Sequence, residues 1–322
     1  MKALVTGCAG FIGSQLCEKL MADKMEVTGI DCMTDYYARE IKLNNLETLK
    51  REAKFSFIEA DIMKTDLAAL TEDRDFIFHL AAQPGVRGSW GENFSLYVVN
   101  NILSTQKLLE AAKVSRSLKK FIYASSSSVY GQIKEEAVSE ARITAPHSPY
   151  GATKLAGENL CGLYTANFGT PTVSLRLFTV YGPRQRPDMA FAKLIVAALT
   201  GRSFPLFGDG KQERDFTYVG DVTEAMVLAA KSADAGGIFN VGGGHVVSMQ
   251  EVIRIAGEIT GKKIQIDSRR TEKGDVFRTS ADCSRAKRIF GFSPGVDINT
   301  GLEMQAEFLK KNLDLYRRFI PI

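Results

Sequence analysis

Short apolar runs alternate with amphipathic stretches over the first half of the chain. Lys2–Thr6, Glu26–Asp31, Phe55–Glu59, Asp75–Leu80, Lys120–Ser125 and Thr172–Arg176 are brief and rich in aliphatic, β-branched or aromatic side chains. Near-continuous apolar character of this kind belongs to strands covered on both faces. Between them, Ser14–Met21, Asn100–Val114 and Tyr150–Asn167 repeat apolar positions at helical spacing. The alternation predicts an α/β fold, a parallel sheet flanked by helices. The second half is less regular. Tyr181–Asp188, with its Pro, Gly and Arg, reads as a loop, Ala190–Thr200 and Gln250–Thr260 as helices, and Phe204–Tyr218 as short strands and turns. Lys262–Thr279 is mixed, and the tail from Asn299 onward is helical. Residues 1–177 are therefore expected to form a first domain, with later segments returning to it. Residues 178–322 are expected to form a smaller C-terminal α/β lobe.

Composition narrows the function classes. The 322 residues carry a net charge of +4, from 41 basic and 37 acidic side chains. With no Lys/Arg stripe interleaved with aromatics, no nucleic-acid partner is expected. Cysteines at 8, 17, 32, 161 and 283 form no CxxC pair and no ligand spacing with His79, His147 or His245. They read as reduced thiols in a cytoplasmic protein without a metal site. An apolar run follows Met1-Lys2, but Gly7, Gly10 and Gly13, then Glu18 and Lys19, break it. That pattern suits strand, turn and helix better than a signal peptide. No stretch reaches the length of a membrane span, so no membrane partner is expected.

The turn itself carries chemistry. Gly7, Gly10 and Gly13, with Phe11 and Ile12 among them, follow a strand and open a helix. Such a turn lets backbone approach a pyrophosphate at the positive end of the helix. Three glycines in a turn can also be purely structural. Asp31 ends the second strand, where a carboxylate grips a ribose hydroxyl pair in a Rossmann-type domain. No arginine follows it until Arg39, which favours NAD over NADP. Asp61 and Ile62, after the third strand, are candidates for the adenine border, although Asp also ends strands for turn reasons.

Tyr150 and Lys154 stand four apart, one turn along a helix face. A free phenol titrates near ~10, too high for a base at neutral pH. A neighbouring ammonium and a positive nicotinamide ring are expected to lower it. Upstream, Ser125-Ser126-Ser127-Ser128 ends a strand, where a hydroxyl points into the ligand crevice. Ser126 is the expected partner of a substrate oxygen.

Together these features resemble the extended short-chain dehydrogenase/reductase family, in particular its nucleotide-sugar epimerases and dehydratases. The resemblance rests on TGCAGFIG (6–13), Asp31, Asp61-Ile62, HLAAQPGVR (79–87), Asn100, SSSSVYG (125–131), YGATK (150–154), RLFTVYGPRQRPDM (176–189) and GDGKQERDFTYVGDV (208–222). It implies a Rossmann-type doubly wound sheet, NAD as cofactor, a UDP-sugar substrate and a homodimer built on the helices Asn100–Val114 and Tyr150–Asn167. It adds Leu80, Ala81, Ala82, Asn100 and Ser125 to the cofactor site. It also implies that Tyr150 deprotonates a sugar 4-hydroxyl while the C4 hydride passes to the cofactor, and that Lys154 holds the nicotinamide ribose.

Within the family, Ser127-Ser128 occupy a slot that carries carboxylates in the dehydratase and decarboxylase branches, which favours simple epimerisation. The segment 182–189, with GVRGSW (85–90), resembles the UDP-glucuronate 4-epimerase branch and gives Arg186 to a C6 carboxylate. Arg184 is divided between such a clamp and a pyrophosphate or surface contact. Thr179 departs from the Asn usual in plain UDP-glucose epimerases. The resemblance also assigns Gln83 and Arg87 to the sugar crevice, Phe207 to the uracil, Arg214 and Arg278 to the pyrophosphate and Asp275 to the uridine ribose. Glu272 stands where the family usually has an arginine. The alternatives are a UDP-glucose or UDP-GlcNAc epimerase, another nucleotide-sugar epimerase or dehydratase, and an NAD-binding regulatory protein without catalysis.

Overall fold

The computed structural model describes residues 1–133, 136–270 and 276–322. Its central sheet contains β1 (Lys2–Thr6), β2 (Glu26–Asp31), β3 (Phe55–Glu59), β4 (Phe76–His79), β5 (Lys120–Ser126), β6 (Thr172–Leu177) and the strand Gly237–Val241. Every pairing in it is parallel. The spatial order is Gly237–Val241, β6, β5, β4, β1, β2, β3. The chain winds outward from β1 to β3 and then restarts on the other side at β4. A crevice therefore opens at the carboxyl ends of β1 and β4, where the winding reverses.

Register brings the functional segments level. Thr6 pairs with Ile30 and with His79, and His79 pairs with Tyr123. One residue further along each strand come Gly7, Asp31, Leu80 and Ala124, side by side on one sheet edge. Helix α1 (Phe11–Ala22) and the helix Val219–Lys231 cover one face, burying Leu16, Leu20, Val222 and Met226 against the sheet. Leu108, Leu109, Cys161 and Tyr164 cover the other face. A separate apolar cluster, including Phe191, Ile195, Val252, Leu302 and Tyr316, packs the helices Ala190–Thr200, Met249–Thr260, Ile298–Lys311 and Leu313–Phe319. Beside it, Ser203–Phe207 pairs with Gln265–Arg269, and Glu213–Asp215 with Val246–Ser248.

Several elements differ from the sequence expectation. The helix placed over Asn100–Val114 begins earlier, as Phe94–Tyr97, widens into a π-helical stretch Val98–Leu103, and continues as Ser104–Ala112. The helix Pro149–Phe168 starts one residue before Tyr150, because the Ser148 hydroxyl accepts the Gly151 N–H at 3.1 Å and Pro149 fits the first turn. Gly169, in the left-handed region at φ 69°, ends it. The helices Arg39–Leu46 and Val219–Lys231 and the strand Gly237–Val241 had no counterpart in the sequence reading.

Candidate active site

The glycine turn is built by close backbone approach. Gly7 has φ +73°, and a Cβ there would lie 2.9 Å from the Ala81 nitrogen. A Cβ on Gly13 would lie 2.2 Å from the Gly7 carbonyl oxygen. Only hydrogen fits at either position. Gly10 is the N-cap of α1 and offers no side chain to its first turn, so those N–H groups face outward at the positive end of the helix. The Thr6 hydroxyl accepts the Leu80 and Ala81 N–H groups at 3.1 and 3.0 Å, fastening the ends of β1 and β4 together. Asp31 accepts the Ala9 N–H at 3.1 Å and the Met33 N–H at 2.8 Å, which sets its carboxylate beside the turn.

Every position expected to hold the cofactor borders one cavity of about 240 Å³: Gly7, Gly10, Phe11, Ile12, Gly13, Asp31, Asp61, Ile62, Leu80, Ala81, Ala82, Asn100, Ser125, Tyr150 and Lys154. A nicotinamide dinucleotide fits this set, with a cradle that a Cβ would fill, a helix dipole for its phosphates and a carboxylate for a ribose. Arg39 is engaged with Glu59 at 2.7 Å. Asp61 also caps the turn Ile62–Lys64, accepting the Met63 N–H at 2.9 Å.

Tyr150 is half-buried and its hydroxyl is hydrogen-bonded with Ser126. The Ser126 hydroxyl accepts the Ser128 N–H at 3.2 Å and donates to the Ser128 hydroxyl at 3.1 Å. The Tyr97 ring meets Tyr150 edge-on at 6.3 Å. Burial raises the Tyr150 phenol, while the Ser126 hydrogen bond and the Arg186 charge draw it back down. The sequence spacing pointed instead to Lys154 as the lowering cation. In the fold, Lys154 is buried and donates to the Ala124 carbonyl at 2.8 Å, over the Tyr123 ring at 5.0 Å. Burial lowers its pKa to about 8. His79 is held neutral, lowered to about 3 by burial and by Lys154, with its ring nitrogens bonded to the Thr6 and Thr105 hydroxyls.

Arg186 and Gln83 border the same cavity as Tyr150. Arg186 donates from Nε and Nη2 to both carboxylate oxygens of Asp188, each at 2.9 Å, and lies 5.8 Å from the Tyr36 ring centre. Arg87, Thr179, Phe207 and Arg214 line a larger adjoining cavity of about 780 Å³, and Tyr36 borders both. Arg87 stacks 4.0 Å over Phe207. Arg214 donates to the Phe277 carbonyl at 2.9 Å and to the Val276 carbonyl.

Residues 3–242 match the NAD dependent epimerase/dehydratase family. The chain belongs to this family. Among similar structures, a UDP-glucuronic acid 4-epimerase from Bacillus cereus, solved in complex with UDP-glucuronic acid and NAD, has a TM-score of 0.94 and 45% identity, covering 97% of this chain and 100% of that one. A Bacillus subtilis relative described as an uncharacterized UDP-glucose epimerase is 45% identical over 96% of this chain and 98% of its own length. A UDP-glucuronate 4-epimerase from Thermodesulfobacterium geofontis is 36% identical, covering 98% of each chain.

Not every position expected in this epimerase/dehydratase lies on the cavities. Ser126, Ser127, Ser128 and Arg278 border neither of the two. Ser127 and Ser128 belong to the turn Ser127–Val129, and Arg278 pairs with Glu213 at 3.2 Å. Asp275 and Glu272 lie outside the described residues. Arg184 turns away from the crevice to Glu18 on α1, at 2.6 Å, and Gln15 donates to the Pro183 carbonyl at 2.8 Å. The loop that carries Arg186 is thus fastened to the helix that opens the glycine turn.

Sequence reading missed Tyr36, Lys42, Tyr97 and Asn101. Lys42 borders the cofactor cavity, but its ammonium serves the Thr34 carbonyl and hydroxyl, and burial lowers its pKa. Asn101 accepts the Gln83 N–H at 2.7 Å and donates to the Gln83 carbonyl at 3.1 Å and the Thr153 hydroxyl at 3.0 Å. It ties the 83–88 loop to the helix of Tyr150. The Tyr97 hydroxyl lies 2.9 Å from each of the Pro84 and Gly85 carbonyls on the same loop. The Tyr36-Tyr37 pair just beyond β2 was a usable signal, whereas nothing in the local pattern separates Asn101 from Asn100.

Proposed function

We propose that this epimerase acts on UDP-glucuronic acid, inverting C4 to give UDP-galacturonic acid through a 4-keto sugar. The observation that carries this reading is Arg186, a guanidinium bordering the same cavity as Tyr150 and fixed in place by Asp188. Bound NAD supplies a hydride acceptor that becomes the donor, so oxidation and return reduction occur in one site. The glycine turn and Asp31 hold it. Tyr150 takes the 4-hydroxyl proton and later returns it, with Ser126 steadying the phenol. Lys154 holds the nicotinamide ribose and Arg186 receives the C6 carboxylate. Arg87, Phe207 and Arg214 receive the nucleotide, and Gln83 and Thr179 border the sugar.

A 4-keto glucuronate is a β-keto acid, and it loses CO₂ when the breaking bond aligns with the ketone π system. A fixed guanidinium holds the carboxylate out of that alignment. Ser127 and Ser128 offer no carboxylate to remove water, which disfavours dehydration. A second reading, turnover of UDP-glucose, has one observation in its favour: Asp188 already satisfies Arg186 without a substrate carboxylate.

The test is incubation with NAD⁺ and UDP-glucuronic acid, followed by proton NMR. Growth of UDP-galacturonic acid without CO₂ release, lost in Arg186→Ala far more than any UDP-glucose turnover, is the expected result. Accumulation of a UDP-pentose overturns the argument from Ser127-Ser128. Conversion of UDP-glucose or UDP-GlcNAc alone overturns the assignment of Arg186.

The epimerase is further proposed to be a homodimer in the cytoplasm. Leu96, Val99 and Leu103 on one helical rod and Leu163 on its neighbour are all exposed, and a second copy would cover them. All five cysteines are free, in keeping with a reducing compartment. Among the described residues, no helix is long and apolar enough to cross a membrane. Leu103→Glu with Leu163→Glu should halve the mass seen by light scattering. An unchanged mass would place any assembly elsewhere.

A further inference from the structure

Beside the cavity lies a buried charged cluster that the chemistry above does not use. Glu158 sits one helical turn beyond Lys154, on the same face. Both of its carboxylate oxygens are engaged. Arg176 on β6 donates from Nε to one at 2.9 Å and from Nη2 to the other at 2.8 Å, and the Ser125 hydroxyl on β5 donates to the first. The side chains of this ion pair are 3% and 1% exposed. The Arg176 guanidinium stacks 4.6 Å from the Tyr130 ring, and the Tyr130 hydroxyl donates to the Asn240 side chain at 2.7 Å.

A buried ion pair is weak evidence for stability, since apolar residues of similar volume often serve as well. Its position here is what matters. Ser125 adjoins Ala124, the residue whose carbonyl receives Lys154. Glu158 therefore grips the strand end on which Lys154 rests, and does so from the helix that carries Lys154.

We propose that Glu158 is a positioning residue for Lys154, anchoring the Ala124–Ser125 strand end to the catalytic helix and providing the counter-charge that keeps the lysine an ammonium. The assignment deepens the reading of Lys154 given above and rests on it. The groups facing Lys154 are few. On its own helix are Tyr150, Glu158 and Cys161, on β5 the Tyr123 ring, and on β4 the neutral His79. Glu158 and Cys161 oppose the burial that lowers Lys154. The Cys161 thiol is itself pushed up to about 12 by burial and stays uncharged. Glu158 is the anion among these groups, and Arg176 on β6, which it binds through both oxygens, is the cation that accompanies it.

The experiment follows the Lys154 ε-carbon resonance against pH, assigned by its loss in Lys154→Met. It compares the natural chain, Glu158→Gln, and the double variant Glu158→Gln/Arg176→Met. The natural chain should titrate near 8. Glu158→Gln should titrate about one to two pH units lower, as for loss of an opposite charge. It leaves Arg176 buried without its partner and should lower Tm, whereas the double variant, which removes the cation together with the anion, should recover Tm and much of the titration. A purely structural role for Glu158 would leave the Lys154 midpoint unmoved in Glu158→Gln, and that result overturns the proposal. Should Glu158→Gln fail to fold, Arg176→Met, which keeps the anion and removes its cation, should raise the midpoint, and an unmoved midpoint there overturns the proposal instead. The alkaline limb of kcat should fall with the midpoint. A midpoint that falls while kcat keeps its limb supports the placement of Glu158 and counts instead against the role given to Lys154.

Discussion

The two adjoining cavities are walled by different parts of the polypeptide. Around the smaller one, apart from Lys154 on the Ala124 carbonyl and Arg186 on Asp188, backbone meets backbone: Gly7 against Ala81, Gly13 against Gly7. Around the larger one, side chains meet side chains or reach for distant carbonyls: Arg87 over Phe207, Arg214 to Val276 and Phe277. A backbone wall admits almost no substitution, because its tolerance is a few tenths of an ångström. A side-chain wall can be redrawn one residue at a time. The difference suits a cofactor common to a whole family facing a sugar that varies within it.

The contrast can be broken at several points. Tyr150→Phe removes the one group placed to move the 4-hydroxyl proton, and turnover should fall ~10²–10⁴-fold. NAD affinity, read by calorimetry, should change little. Retention of biological function by this variant would favour the non-catalytic alternative. Gly13→Ala puts a methyl 2.2 Å from the Gly7 carbonyl oxygen. NAD affinity should fall about 10- to 100-fold, the scale of ~1–3 kcal/mol of overpacking. An unaffected affinity would mean that the turn yields and the contrast between the walls is false. Phe207→Ala takes away the ring under Arg87. It should raise KM for the UDP-sugar about 3- to 30-fold, within the ~0.5–2 kcal/mol of a cation–π contact, and leave kcat in place. A fall in kcat alone would move Phe207 out of nucleotide binding.

A further effect concerns stability rather than turnover. Burial takes Lys154 from 10.5 to about 8, a cost of roughly 3 kcal/mol while the lysine is charged. The sign is the reverse of a paired lysine. Between about 8 and 10.5 the unfolded chain binds more protons than the folded one, so this group favours the fold increasingly as pH rises through that window. Lys154→Met, although inactive, should therefore raise Tm by a few degrees at pH 7. The gain should shrink toward pH 10. A gain independent of pH would trace to packing rather than charge.

The same contrast explains what could be read from the sequence. Strand β1, the glycine turn, Asp31 and the Tyr150–Lys154 spacing are local patterns, each lying within a few residues and each dictated by backbone geometry. They came through with bounds close to those observed. The electrostatics of Tyr150 did not, because which cation reaches the phenol depends on Arg186, which comes from another part of the chain. Nor did Asn101, Tyr97 or Glu158, whose partners lie on other elements. The strand Gly237–Val241 was missed because it begins on a glycine, follows Gly236 and precedes three more, GGIFNVGGG, a context that reads as a loop until β6 is beside it. The π-helical widening at Val98–Leu103 likewise has no signature in an apolar repeat.

The fastening of residues 182–189 to α1 bears on attempts to re-engineer the sugar preference. Transplanting that loop from a relative with another substrate would bring a foreign Arg184 and Pro183 against Gln15 and Glu18, which the recipient helix supplies. The unit of exchange is accordingly a composite: the loop together with the outward face of the first helix. A chimera that swaps only the loop should bind its new sugar loosely, and restoring the donor's residues at 15 and 18, which border neither cavity, should tighten it.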